Sequence, residues 1–105
     1  MPLTREFKET VKARAEKDPA FRAALLTQAV ELMLEGDVDT GKAVLRDYIN
    51  ATVGFEALAD DVGKPSKSLM RMFGPKGNPS ASNLFAVISR LQDATGVHLA
   101  VGVGK

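Results

Sequence analysis

The side chains in this chain best suited to a chemical task are basic and polar ones at helical spacing. Ser66, Lys67, Met70 and Arg71 fall on one side of a short predicted helix, where such side chains reach phosphates and base edges from a major groove. An arginine so placed grips guanine with two hydrogen bonds. Lys64 just before this helix and Lys76 just after it suit phosphate contacts, as does Lys67. Asn78 follows in the next loop, and Ser80, Ser82 and Asn83 then open another predicted helix. Hydroxyl, amide and backbone N–H groups at a helix N-terminus form a phosphate site, although plain capping accounts for the same residues. From Gly63 to Gln92 there is no Asp or Glu, whereas Lys64, Lys67, Arg71, Lys76 and Arg90 all occur there. The stretch therefore carries a local positive field.

The elements that must position these groups are legible in the stretch Phe55 to Gly74. Leu58, Ala59 and Val62 make the inner face of a first short helix, and Gly63 follows as a residue free to take positive φ at a corner. Leu69, Met72 and Phe73 form the apolar stripe of the second helix. A steep crossing needs a side chain no larger than methyl at the contact and a permissive corner, which Ala59 and Gly63 supply. A plain helical corner inside an all-helical core is the alternative, but the spacing Leu-Ala-x-x-Val-Gly-x-x-x-x-x-Leu-x-x-Met is more restrictive than such corners require. Asp60 and Asp61, at the end of the first helix, run against DNA binding unless they point away from phosphate. Glu56 is explained by the helix dipole alone.

The run GFEALADDVGKPSKSLMRMFGPKGNPSASNLFAVISRL resembles the helix-turn-helix core of the addiction-module antidote family, whose members are lambda-repressor-like regulators. The resemblance covers about the last two thirds of the chain and rests on LADDVG, SLMRMF and GPKGNPSASNLFAVI. It implies a bacterial antitoxin that neutralises a small ribosome-associated mRNA-cleaving toxin and represses its own operon as a dimer. The chain departs from that pattern by carrying some 35 additional residues ahead of the region with which such proteins usually begin.

Composition narrows the alternatives. With 105 residues, 45% hydrophobic and 26% charged, the chain suits one soluble globular domain. The net charge of +1 divides into −1 over residues 1–53 and +2 over residues 54–105. Any affinity for nucleic acid must then come from the local cluster. No Cys and a single His, His98, leave no thiol nucleophile and no multi-histidine metal site. GPKGN lacks both the preceding strand and the Gly-Lys-Ser/Thr ending of a phosphate-binding loop. No enzyme, metal or cofactor is expected. A charged N-terminus without an apolar core and the lack of an apolar run of about 18 residues point to a cytoplasmic protein without a membrane segment.

Ahead of this core, Thr4 is the expected cap of a helix reaching about Lys17, with Phe7, Val11 and Ala15 in a narrow stripe that packs against one neighbour. Asp18-Pro19 opens a second helix ended by Gly36, with Phe21, Leu25, Ala29, Leu32 and Met33 on one face. These two helices either bind a toxin, form a dimer, or complete the core as a hairpin. Asp39 is the expected cap of a third helix over 40–52, with Val44, Leu45, Tyr48 and Ile49 at helical spacing and Tyr48 in the core. Ser80 to Thr95 reads as the last helix, with Leu84, Val87, Ile88 and Leu91 inward and Phe85 beside them. VHLAVGV then alternates as a lone strand, Leu99, Val101 and Val103 on one side. An unpaired strand needs a mate, which a second copy supplies across a two-fold axis, so His98, Leu99, Val101 and Val103 are the candidate dimer joint. A loose tail is the alternative.

The expected fold is mainly all-α: a five- to six-helix lambda-repressor-like helix-turn-helix domain over 39–105, with a short C-terminal β-strand. Residues 1–38 form an N-terminal helical extension packed on the same core. The expected function is sequence-specific binding of operator DNA as a homodimeric autorepressor, with a small toxin as a further partner. The alternatives are a stand-alone repressor and a helical module that binds only protein.

Overall fold

The computed structural model describes residues 5–104, without the side chains of residues 5, 7 and 8. The described chain is mainly helical: α1 (Arg5–Lys17), α2 (Pro19–Leu34), α3 (Val38–Ala51), α4 (Phe55–Val62), α5 (Ser66–Met72) and α6 (Ala81–Thr95). The expected Thr4 cap and the Phe7 side chain lie outside the described residues.

Short polar sequences set several helix ends. Asp18 caps α2, its carboxylate accepting from the N–H groups of Ala20 and Phe21, with Pro19 in the first turn where its missing N–H costs nothing. At α3 the expectation needs correcting, because the cap is Asp37, whose Oδ1 accepts from the Thr40 N–H at 3.3 Å. The helix therefore starts at Val38, and Asp39 sits in its first turn, where its charge favours the N-terminal dipole. Ser80 caps α6 as read, its Oγ accepting from the Asn83 N–H at 3.2 Å.

One apolar cluster joins α2 to the helices that follow it. Leu26 and Ala29 of α2 belong with Leu45, Tyr48 and Ile49 of α3, Phe55, Leu58 and Ala59 of α4, Leu69 and Phe73 around α5, and Val87, Ile88 and Leu91 of α6. The face of α2 differs from the one expected. Leu26 and Ala29 are the fully buried pair, while Phe21, Leu25, Leu32 and Met33 are half-buried. With Ala23, Leu25, Leu26, Ala29, Val30, Leu32 and Met33 spread around it, α2 has no single apolar stripe in sequence, and packing against α3 selects the face. At that crossing Gly41 lets α3 approach closely, since a Cβ there would lie 2.6 Å from Met33 Cγ and 2.9 Å from the Ala29 carbonyl oxygen. Helix α1 packs on both α3 and α2, not on one neighbour. Arg22 of α2 reinforces that join, its guanidinium donating to the Ala15 carbonyl at 2.7 Å near the end of α1.

Residues 97–104 contain no strand. The reason is physical: a strand requires an edge to pair with, and the described residues, all helix and loop, offer none. The Leu99 N–H instead donates to Gln92 Oε1 at 2.7 Å, and the Leu99 side chain packs on the chain's own core. Val101 and Val103 remain exposed, at 95% and 104%.

Candidate nucleic-acid interface

The corner between α4 and α5 has the local geometry that its sequence calls for. Leu58 and Ala59 are buried, and Gly63 ends α4 at φ 69°, in the left-handed region open to glycine at little cost. The Gly63 and Lys64 N–H groups both return to the Ala59 carbonyl, the latter at 3.1 Å. Pro65 then precedes α5 in extended conformation and its carbonyl accepts from Ser68 and Leu69. Leu69 and Phe73 hold α5 to the core, with the Phe73 ring centroid 6.3 Å from that of Phe55.

With its inner side so committed, α5 turns Lys67, Met70 and Arg71 outward. Lys67 and Arg71 stand one turn apart, so both face the same way. Among the described residues neither they nor Lys64 and Lys76 engage in an ion pair, and their charges are free for an external anion. Ser66 and Lys64 are half-buried at the start of α5.

Arg71, Lys76 and Asn78 share an open cleft with Ser68, Met72 and Gly77. The structure thus brings together a base-reading candidate, a phosphate-contact candidate and the loop amide. Ser68, at a position the apolar pattern leaves unassigned, lines the cleft with them. Ser80, Ser82 and Asn83 are not in this cleft. Ser80 is engaged as a cap, whereas Ser82 is exposed in the first turn of α6 and Asn83 is half-buried. Asp60 and Asp61 are both exposed on α4. Phe85, read as lying beside the inner face of α6, is 64% exposed.

Lys42 also went unrecognised. It is 4% exposed on α3, and its ammonium donates to the carbonyls of Gly77 and, at 3.5 Å, Gly74, with Asp39 Oδ1 at 3.7 Å. A signal was available: Lys42 lies in register with Leu45 and Ile49 on the buried stripe of α3, an expensive place for a cation without partners.

Of the candidate dimer residues, His98 is exposed and Leu99 is half-buried within its own chain. Leu99, Ala100 and Val101 line an apolar groove with Thr27, Val30 and Leu34 of α2, of which Leu34 is 76% exposed. No helix among the described residues is long and apolar enough to cross a membrane. No protein-family model matches the chain, and the comparisons with curated proteins and with solved structures also return no match.

Proposed function

We propose that this chain is a sequence-specific DNA-binding regulator built on a lambda-repressor-like helix-turn-helix, with α4 as its first helix and α5 as its reading helix. The single observation that carries the reading is the outer face of α5, where Lys67, Met70 and Arg71 are exposed and uncommitted inside a stretch free of carboxylates from Gly63 to Gln92. Seven residues of helix span about 10 Å, which suits a major groove about 12 Å wide. Arg71 reads a base edge, while Lys64, Lys67 and Lys76 neutralise phosphates. Ser66, Asn78, Ser82 and Asn83 supply further polar contacts to the backbone.

The regulator acts as a homodimer, because one short helix reads only a few base pairs and two reach half-sites about 34 Å apart. The C-terminal segment joins the copies, with the exposed Val101 and Val103 covering apolar surface of the second copy. The antitoxin role follows from the resemblance of the Gly54–Leu91 run to antidote proteins, and an open reading frame for a small basic toxin beside the gene would favour it.

The test is fluorescence anisotropy with DNA flanking the chain's own gene against scrambled DNA of equal length, at several salt concentrations. Tight binding confined to the native segment is expected. Equal weak binding to both, vanishing at physiological salt, would remove the regulator reading. The groove beside the exposed Leu34 favours a second reading, a helical module that binds only protein, which predicts no binding to either DNA.

A further inference from the structure

We propose that Lys42 is a positioning residue for the DNA-facing surface: from within the core, its ammonium sets the place of Lys76 and Asn78 relative to Arg71. The consequence for DNA rests on the regulator reading above, whereas the clamp itself rests on geometry alone.

The segment Gly74–Gly77 closes as a turn, the Gly77 N–H donating to the Gly74 carbonyl at 3.0 Å with Pro75 and Lys76 between them. That turn is fastened twice. On one side Gly77 presses so closely on the end of α5 that an added Cβ would collide with the carbonyl oxygens of Arg71 and Met72. On the other, the Lys42 ammonium reaches from α3 to the carbonyls of both Gly74 and Gly77, the first and last residues of the turn. The nearest carboxylate, Asp39, has a 92% exposed side chain and stands 3.7 Å away. The Gly77 carbonyl is therefore its close partner, with the Gly74 carbonyl at 3.5 Å behind it, and these contacts are what allow a cation to sit at 4% exposure.

The turn carries Lys76 at its tip and leads directly into Asn78, and both line the cleft that Arg71 enters. Lys76 and Arg71 bear like charges in that cleft, so their repulsion favours opening the loop unless its backbone is fixed. A methionine at position 42 would fill the same length of the stripe but would leave the Gly77 carbonyl without its cationic donor. The loop would then be free to swing away from α5 while the core stayed packed. Lys42 thus controls where a phosphate-binding charge stands without touching DNA itself.

The test begins with Lys42→Met in the DNA-free full chain. Hydrogen exchange at the Gly77 amide, whose N–H closes the turn on the Gly74 carbonyl, should accelerate at least tenfold, while the amides of Tyr48, Leu69 and Leu91 keep their protection. Unchanged exchange at Gly77, or a uniform rise across α3, α4, α5 and α6, would overturn the clamp. If Lys42→Met does not fold, the native protein decides: the Lys42 ammonium protons should exchange more slowly with water than those of Lys67 and Lys76, and equal rates would overturn it. On DNA, Lys42→Met should lower the salt slope by as much as Lys76→Ala, and the double variant should lower it no further. Where the native protein shows a salt-dependent specific site but Lys42→Met leaves the slope intact, Lys42 is only a core anchor and the positioning role fails. A native protein that binds no DNA removes the regulator reading and the positioning role with it, and the exchange result then decides the clamp alone.

Discussion

The Tyr48 hydroxyl donates to Thr95 Oγ1 at 2.8 Å, and Thr95 in turn donates to the Leu91 carbonyl at 2.7 Å, tying the middle of α3 to the last turn of α6. Tyr48 is wholly buried, and burial pushes its hydroxyl above the ordinary value of 10.0, with the Thr95 hydrogen bond and then the charge of Arg22 pulling the other way. Tyr48→Phe should cost about 0.5 to 1.5 kcal/mol in thermal melts. Below pH 10 the hydroxyl is neutral in both folded and unfolded chains, so its contribution is intact there. Above that the unfolded chain ionises first, and stability falls as pH rises through the raised folded value. Because this is the chain's one tyrosine, absorbance titration near 295 nm reads it directly. A native transition at or below pH 10 would contradict the assignment.

Arg71→Ala tests base reading. A residue that grips guanine should lose about 1 to 3 kcal/mol on the specific site and much less on random DNA. Anisotropy titrations on both sequences decide it, since equal losses identify a phosphate contact instead.

Lys64, Lys67 and Lys76, each replaced by Ala, should weaken specific and nonspecific binding alike. Each phosphate contact contributes about 0.9 to the salt slope, so one replacement per protomer should reduce the slope of a dimer by about two. A slope that does not change rules out that role for the lysine concerned.

Ala59→Leu tests the corner. Ala59 is buried against the core at the end of α4, and added methylenes should overpack it by roughly 1 to 3 kcal/mol. A variant that melts with the parent and keeps its DNA affinity would show that the crossing of α4 and α5 is not the one assumed.

Truncation after Gly96 tests assembly. It removes the exposed Val101 and Val103 but also Leu99, whose side chain packs on its own core. The expected outcome is a folded helical monomer, somewhat less stable, with weakened operator binding, measured by sedimentation at micromolar concentration. A persisting dimer would move the joint to the N-terminal helices.

What the sequence determined by itself is the part governed by neighbours along the chain. The caps at Asp18 and Ser80, the left-handed corner at Gly63 and the inner stripe of Leu84, Val87, Ile88 and Leu91 each follow from residue type and a spacing of a few positions. The outward face of α5 was legible for the same reason: once Leu69 and Phe73 are inside, Lys67 and Arg71 are outside. Tertiary structure decided what depends on contacts distant in sequence. Asp37 and Asp39 are both competent caps, and the choice between them came with the start of α3 at Val38. An alternating segment such as Val97–Val103 becomes a strand only where an edge exists, and the described residues offer an apolar core but no edge, so Leu99 folded inward and its N–H went to Gln92. Lys42 is the fullest case. Its register with Leu45 and Ile49 marks it in sequence as buried, but its partners Gly74 and Gly77 lie more than thirty residues along the chain, in the turn that follows α5, and come within reach only when α5 has docked on the core.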